Sequence, residues 1–385
     1  MQKQREDKMI YFDNAASSFP KPITVSKAMI RAVNVYGANP GRSGHFLSCM
    51  AEKEVFSCRN ALADMFNTES ENIIFTANCT ASINLALIGF LKPKSEVLIS
   101  DMEHNAVVRP LEKMKDVFVK QVEIDLYDDE KTVENFKNAI TNKTSMIAIT
   151  ACSNVIGKIT PIEKIGKLCK ENNIKFLVDA AQLGGVMPID IKKCSIDFLA
   201  LAPHKSLFGV QGLGVLVLND KIKLDTLIEG GTGTNSESPL MPDFPPERYE
   251  AGTIATPAIV ALKAGISFIK ERGILYIKEY ENNLALYTFN LLKDIDAILY
   301  TKKIDDTFSG VLPFNIKNAT PNLVSDYLDK NGIMTRAGYH CAYPTHKKIG
   351  SEKDGAVRLS FTVFNTKEQI NVLIKKLVSL SRDIL

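Results

Sequence analysis

Between about residue 70 and residue 220, the chain alternates short apolar runs with longer stretches of amphipathic helical periodicity. Runs of the first kind predict buried strands, and stretches of the second kind predict helices that cover a sheet. The predicted strands are Ile73–Thr76, Glu96–Ser100, Val117–Ile124, Ser145–Ala151, Lys175–Ala180, Asp197–Ala202 and Leu213–Leu218. The predicted helices are Cys79–Leu91, Asn105–Lys115, Lys131–Ile140 and Ile162–Asn172.

This alternation predicts an α/β fold with a mostly parallel sheet sandwiched by helices. The gap between the last two strands is too short for a crossover helix, so we expect one antiparallel strand there. In such a fold, ligands bind at the carboxyl ends of the strands.

The rest of the chain predicts a second, smaller unit. Residues 229–257 are rich in glycine and proline and predict a loop-rich bridge, followed by a helix near Pro257–Arg272. A C-terminal α+β segment comes next, and we expect the N-terminal residues to return to it. Because 385 residues exceed what one core usually holds, we expect a large domain at 18–260 and a small domain formed by 1–17 and 261–385.

Composition narrows the function classes. The 47 basic and 44 acidic residues leave a net charge of +3, which favours neither nucleic acid nor a membrane surface as a partner. The longest apolar stretch, Ile83–Leu91, is too short to span a membrane, and the polar N-terminus does not resemble a signal peptide. The seven cysteines form no CxxC pair, which fits reduced thiols in a cytoplasm. The five histidines show no metal-ligand spacing, so we expect no metal site.

Two charged residues end neighbouring predicted strands. Asp179 closes the run that begins at Lys175, and Lys205 follows the run that begins at Asp197. A lysine that bonds the coenzyme covalently and an acid that faces its ring nitrogen are the main requirements of a pyridoxal phosphate site. The alternative is two ordinary charges at strand ends.

Other segments add candidate chemistry, each with a structural alternative. Residues 76–82 link a strand to a helix and could hold phosphate at the helix N-terminus, or could form an ordinary N-cap. The glycine-rich stretch 209–214 precedes a strand rather than opening a helix, so it is not a dinucleotide fingerprint. The stretch 230–234 lacks the lysine of a Walker loop.

Three single residues complete the candidate chemistry. His104 follows a predicted strand and could lie flat over a cofactor ring, or could be structural. Cys341 lies in a polar stretch after the predicted helix Pro321–Asn331, with arginine and histidine neighbours that favour a nucleophilic thiol. Arg358 could clamp a substrate carboxylate, or could be a solvated surface arginine.

Together these segments resemble the class V fold-type I pyridoxal-phosphate enzymes, specifically the cysteine desulfurases and selenocysteine lyases of the group II kind. The segments that carry the resemblance are 11–16, 39–45, 76–84, 101–105, 153–157, 178–182, 204–205, 249–253, 336–342 and 357–360. The most specific is Arg-Ala-Gly-Tyr-His-Cys-Ala at 336–342, which is similar to the cysteine loop of group II desulfurases. The short spacing from Cys341 to Arg358 suits the compact loop of that group.

The resemblance implies a role for each candidate residue. It implies that Lys205 holds the cofactor, that Asp179 keeps the ring nitrogen protonated, and that His104 stacks on the ring. The remaining implied roles are a hydrogen bond to the ring hydroxyl from Gln182, phosphate binding by Cys79, Thr80, His204 and Thr253 (the last reaching from a partner subunit), and substrate binding by Asn154, Arg336 and Arg358.

The implied function is a cysteine desulfurase that converts L-cysteine to L-alanine and passes sulfur to Cys341 as a persulfide. The nearest alternative is a selenocysteine lyase. Further alternatives are a class V aminotransferase, β-lyase or epimerase, and a non-catalytic sulfur-handling scaffold. The resemblance also implies a homodimer and a sulfur-acceptor protein.

The chain departs from the family pattern at two places. Ala202 stands where the family often has serine or threonine, and Ala151-Cys152 stand where it often has a histidine. His346 fits a subset of the family, and the sequence alone assigns it no role.

Overall fold

The computed structural model describes residues 9–41, 44–219, 222–295 and 297–384. Its helices are α1 (Ile23–Val35), α2 (Phe46–Phe66), α3 (Cys79–Phe90), α4 (Asn105–Lys113), α5 (Asp129–Ala139), α6 (Ile162–Glu171), α7 (Thr256–Arg272), α8 (Ile274–Lys293), α9 (Pro321–Lys330), α10 (Tyr343–Ile349) and α11 (Lys367–Ile384). Its strands are β1 (Ile10–Tyr11), β2 (Ile73–Thr76), β3 (Glu96–Ser100), β4 (Phe118–Val122), β5 (Thr144–Thr150), β6 (Lys175–Asp179), β7 (Phe198–Leu201), β8 (Gly214–Leu218), β9 (Ala297–Leu299), β10 (Val311–Ile316), β11 (Ile333–Met334), β12 (Arg336–Gly338) and β13 (Ala356–Ser360).

The central sheet has seven strands in the order β2-β8-β7-β6-β5-β3-β4. Only β8 runs against its neighbours, so the mostly parallel sheet and its single antiparallel strand are confirmed. Thr150 on β5 and Ala200 on β7 both pair with Asp179 at the end of β6. The carboxyl ends of these three strands therefore lie side by side.

Apart from the exposed edge strand β4, both faces of the central sheet are buried, which explains the nearly continuous apolar runs in the other strands. Successive side chains point to opposite faces of a strand. Phe176 and Val178 on β6 accordingly pack into one buried cluster, while Leu177 between them packs into the other.

The predicted element bounds agree with the structure to within a few residues. One difference has a clear cause. Helix α5 begins two residues before the predicted start at Lys131, because the Asp128 side chain accepts a hydrogen bond from the Lys131 backbone at 3.0 Å. An N-cap of this kind extends the helix into a polar segment that periodicity does not reveal.

A smaller sheet, in the order β12-β13-β10-β9, is antiparallel throughout and has its own buried cluster. The N-terminal strand β1 pairs in parallel with β11, so the predicted return of the N-terminus to the C-terminal part is confirmed. Position 260, the expected boundary, lies inside α7. The division into a large domain at 18–260 and a small domain at 1–17 plus 261–385 stays a prediction. Two parts of the predicted segments lie outside the described residues, namely residues 1–8 of the small domain and Arg42-Ser43 of the matched segment 39–45.

None of the helices in the described part of the chain combines the length and apolar composition that a membrane span requires. All seven cysteines have free thiols.

Glu103 joins the carboxyl ends of β3 and β5 beneath the sheet edge. Its side chain is fully buried, and its Oε1 accepts hydrogen bonds from the Ser100 hydroxyl and, at 2.9 Å, from the Thr150 backbone. Among the described residues, its Oε2 has no hydrogen-bond partner. Burial raises the pKa of this carboxyl to about 8, so the neutral acid prevails near neutral pH.

The raised pKa of Glu103 predicts a specific pH dependence of stability. Its carboxyl binds a proton more tightly in the folded than in the unfolded chain, so its contribution is present below the unfolded pKa of 4.5 and is lost as the pH rises through about 8. As the pH rises from about 5 to about 9, the wild type should therefore lose stability relative to Glu103→Gln, which stays neutral. The free energy of unfolding of both proteins, measured with urea at each of the two pH values, tests this change.

Glu112→Gln, which replaces an exposed glutamate on α4, is the matched control. Its stability should follow that of wild type at both pH values. Parallel pH dependences of wild type and Glu103→Gln would contradict the assignment of a buried neutral acid.

Candidate active site

A cleft of about 160 Å³ opens at the carboxyl edge of the central sheet. It brings together eight of the residues singled out in the sequence: Cys79, Thr80, His104, Asn154, Asp179, Gln182, His204 and Lys205. They come from five separate segments, which the central sheet brings together at the carboxyl ends of its strands. Two positions that depart from the family pattern, Cys152 and Ala202, also line this cleft.

Lys205 follows β7 in a tight turn, with its backbone N–H bonded to the Ala202 carbonyl at 3.0 Å. Its side chain reaches the cleft but is closely surrounded by protein, and this burial lowers the pKa of the amine. Asp179 opposes the shift, whereas the positive charges of Arg358 and Arg336 add to it. The amine is therefore easier to deprotonate than an ordinary lysine, as a nucleophile or base requires.

Asp179 is 5% exposed and is held by two contacts. Its Oδ1 accepts a hydrogen bond from the Ala181 backbone at 3.0 Å and lies 3.8 Å from the Cys79 sulfur. Burial, together with the charge of Asp179, raises the pKa of Cys79 well above its usual value. Cys79 is therefore a neutral thiol that donates to Asp179 rather than a second nucleophile.

His104 caps the N-terminus of α4. Its Nδ1 accepts a hydrogen bond from the Ala106 backbone at 3.0 Å, and burial lowers the pKa of the ring. Because Nδ1 is an acceptor, the neutral ring carries its proton on Nε2. The cap thus fixes both the orientation and the tautomer of the ring at the cleft.

The N-terminus of α3 also faces the cleft. The Asn78 side chain caps this helix through the Ala81 backbone at 2.9 Å, and Thr80 is exposed in the first turn. First-turn N–H groups have no partner within a helix, and the helix dipole favours an anion there. His204 lies nearby, and burial lowers its pKa to about 4, while a hydrogen bond to the Ala16 backbone offsets part of that shift.

Arg358 is 1% exposed and lies at the junction of the two sheets. One guanidinium nitrogen bonds Asp13 at 2.5 Å, and another donates to the Asn154 carbonyl at 3.0 Å. Within the described residues, its Nε has no partner. Arg336 is directly opposite on the neighbouring strand, so two guanidinium groups converge here. A carboxylate would satisfy both.

Cys341 is exposed, and its segment is fixed to the loop that carries His104. The Cys341 carbonyl accepts a hydrogen bond from the Asn105 backbone at 2.7 Å. Two side chains of α10 add to this attachment, with Thr345 donating to the Met102 carbonyl at 3.2 Å and Lys348 bonding Asp101 at 2.7 Å. The Cys341 backbone is thus anchored next to His104, although Cys341 is not among the residues that line the cleft.

Thr253 and Gln182 complete the placement of the predicted residues. Thr253 is exposed and lines a second cleft, formed by other residues of the β2–α3 region and the 226–255 loop, rather than the cleft of Lys205. Gln182 lines the first cleft, and its amide donates to the Ala15 carbonyl at 2.9 Å.

Several residues that support this site were not predicted from the sequence. Asp13 pairs with Arg358 from the opposite end of the chain, Glu103 supports the strand ends next to His104, and His340 packs against His346 behind Cys341. Asp13 and Glu103 lie inside segments that carried the family resemblance, which was the available signal. Their partners come from distant segments, which no local pattern indicates. No group of metal-ligating side chains was found in the ranges that the structure describes.

Comparison with known proteins agrees with this geometry. The model of the aminotransferase class-V family matches residues 10–373. A probable cysteine desulfurase of Pyrococcus abyssi is 35% identical, over 98% of this chain and 95% of its own. One of Borreliella burgdorferi is 31% identical, over 95% and 90%. The apo structure of a cysteine desulfurase from Thermococcus onnurineus superposes with a TM-score of 0.88 at 31% identity, over 98% and 96%. The chain therefore belongs to the class-V aminotransferase family of pyridoxal-phosphate enzymes, among its cysteine desulfurases.

Proposed function

We propose that the protein is a pyridoxal-phosphate-dependent cysteine desulfurase that takes sulfur from L-cysteine onto Cys341 and releases L-alanine. The observation that carries this proposal is the attachment of the Cys341 backbone to Asn105, directly after His104. It supports a thiol nucleophile at the mouth of the cleft that contains Lys205. The full-length similarity to cysteine desulfurases supports the same activity.

The residues of the cleft fit the cofactor. A lysine of lowered pKa, a buried carboxylate, a neutral histidine ring and a helix N-terminus are the groups that pyridoxal phosphate requires. Lys205 would hold the coenzyme covalently, and Asp179 would face its ring nitrogen. His104 would stack on the ring and Gln182 would bond its hydroxyl. Cys79 and Thr80 on α3, with His204, would bind the phosphate.

The substrate carboxylate would bind at the converging arginines. Arg358 is pre-oriented by Asp13 and by the Asn154 carbonyl, and its buried Nε has no hydrogen-bond partner among the described residues. Arg336 would contribute from the opposite strand. This placement would direct the substrate side chain towards Cys341, because Cys341 follows Arg336 by five residues, just beyond the end of β12.

The bound coenzyme supplies an electron sink for the negative charge that develops on the substrate carbon. Lys205, once released by the incoming amine, takes the Cα proton as general base, and its lowered pKa keeps the neutral amine accessible. The Cys341 thiolate then attacks the substrate sulfur, so that a sulfur–sulfur bond forms as the carbon–sulfur bond breaks. Proton return to the carbon skeleton gives alanine, and Cys341 keeps the sulfur as a persulfide.

Two finer proposals concern partners. A homodimer is supported by the exposure of Thr253 and of apolar side chains in the neighbouring loop, including Ile228 and Leu240. Thr253 would then contribute to the phosphate site of the partner subunit. A sulfur-acceptor protein is supported by the exposure of Cys341. The cytoplasmic location expected from the sequence stays a prediction.

Replacement of the proposed nucleophile tests the reaction. Cys341→Ser should lower sulfide release from L-cysteine, in the presence of a thiol acceptor, by at least about a hundredfold, because a serine hydroxyl is a far weaker nucleophile than a thiolate. Cys49→Ser, at a partly exposed cysteine of α2, is the control and should retain activity. Alanine and sulfide are measured together, with selenocysteine as a parallel substrate. Full activity of Cys341→Ser on cysteine would contradict the proposal, and retained turnover of selenocysteine alone would favour a selenocysteine lyase.

Covalent attachment of the coenzyme tests Lys205 directly. Borohydride reduction of the holoenzyme followed by peptide mapping should place the label on Lys205, since the reduced bond is stable. Lys205→Ala should bind the coenzyme only reversibly and carry no label. Lys164→Ala, at an exposed lysine paired with Glu130, should be labelled as wild type is. A label on another lysine would refute the assignment.

A further inference from the structure

Two buried histidines lie directly behind Cys341 and have no part in the chemistry proposed above. His340 is 3% exposed, and His346, on α10, is fully buried. Their rings meet edge to edge in nearly parallel planes, with centroids 5.4 Å apart and planes inclined by 19°. A pair of polar rings in a protein interior requires hydrogen-bond partners for each nitrogen.

Every ring nitrogen of the pair has such a partner. His340 Nε2 lies 3.3 Å from the Arg336 carbonyl, and His340 Nδ1 lies 3.2 Å from His346 Nε2. His346 Nδ1 lies 2.7 Å from the hydroxyl of Ser351, which is itself buried. A continuous chain thus runs from Ser351 through both rings to the backbone of Arg336.

Only one order of protons satisfies this chain when both rings are neutral. The Arg336 carbonyl can only accept, so His340 Nε2 carries a hydrogen and His340 Nδ1 is an acceptor. His346 Nε2 must then donate to His340, which leaves His346 Nδ1 to accept from the Ser351 hydroxyl. The reverse order would place a lone pair of His340 against the lone pairs of the carbonyl.

The surroundings keep both rings neutral. Burial, together with the charges of Arg358 and Arg336, lowers the pKa of His340 to about 2. Burial lowers the pKa of His346 to about 4, and the nearby Tyr339 backbone offsets part of the effect of burial. A charged His340 would add a third cation beside two arginines, so the neutral chain is the favoured state across the physiological pH range.

The hydrogen-bond chain from Ser351 to Arg336 stabilises a loop whose backbone conformation is otherwise unfavourable. His340 and Cys341 both have left-handed backbone conformations, with φ of 51° and 58°. Such a conformation is unfavourable for a residue that has a Cβ atom, so surrounding contacts must impose it. The His340 carbonyl is also fixed, because it accepts a hydrogen bond from the Asn154 side chain at 2.7 Å.

We propose that Ser351, His346 and His340 form a proton-ordered chain that holds Cys341 in its strained conformation and so aims its thiol at the substrate. They are positioning residues, since they act through the backbone between Arg336 and Cys341. The inference rests on the proposed nucleophilic role of Cys341, but the order of the protons can be tested independently of that role.

The first experiment measures the proton order itself. In ¹⁵N-histidine-labelled holoenzyme near neutral pH, nitrogen–proton correlation spectra distinguish the two neutral tautomers from the charged ring. The protein has five histidines in all, so the signals of His340 and His346 can be assigned from single variants. Both His340 and His346 should be neutral with the proton on Nε2. A proton on Nδ1 of either ring, or a charged ring, would refute the proposed order of protons.

The second experiment measures its effect on the reaction. His346→Phe keeps a flat buried ring but removes the hydrogen bonds, and should lower kcat per bound coenzyme about five- to tenfold, the loss expected for one such bond. KM should change less, because Arg358 is held separately by Asp13. His346→Gln, which retains a donor towards His340, should recover part of kcat. Lys347→Gln, at an exposed neighbour on α10, is the control.

The outcomes separate the two proposals. An unchanged kcat in His346→Phe, or equal losses in the Phe and Gln variants, would refute the positioning role. A loss of activity that disappears when kcat is expressed per bound coenzyme would also refute the positioning role, since such a loss would reflect folding alone. Full activity of Cys341→Ser would instead refute the proposed function, whatever tautomers the spectra show.

Discussion

The site depends on the balance of charge around one buried amine. Burial disfavours the charged form of Lys205, the two arginines disfavour it further, and Asp179 favours it. The amine must be neutral to act as nucleophile or base, yet it lies beside a carboxylate that would bind its charged form. A cofactor that bonds the amine removes this conflict, because the carboxylate then faces a cationic ring instead.

The second constraint is mechanical. The lysine and its carboxylate belong to the central sheet, whereas both arginines belong to the smaller sheet and the cysteine to the segment that follows β12. Hydrogen bonds from α10 and from the Cys341 carbonyl to the loop at residues 101–105 attach the cysteine segment to the central sheet. Asp13, on the N-terminal segment, holds Arg358 from a third direction. The distance between base and nucleophile is therefore set by packing between elements remote in sequence.

The pattern of apolar runs predicted the sheet, its single antiparallel strand and the helices, because strand and helix periodicities are local properties of the chain. The cleft was predictable for the same reason, since parallel strands bring their carboxyl ends to one edge. Arg358 had two interpretations from sequence, and its burial and its pairing with Asp13 removed the surface alternative. The hydrogen-bonded pair of His340 and His346 was not predictable, because their partners lie on both sides of a turn and the periodicity of α10 gives no sign of them. Thr253 lies apart from the cleft, and the role implied for it depends on a second subunit that a single chain does not contain.

The pairing of Arg336 with Arg358 across neighbouring strands has a further consequence. Like charges opposite one another destabilise a sheet, and Arg358 is almost fully buried, with Asp13 as its counter-ion. The Asp13 carboxylate relieves part of this repulsion within the smaller sheet, and a substrate carboxylate would relieve more of it. Substrate binding and the stability of that sheet are thus coupled.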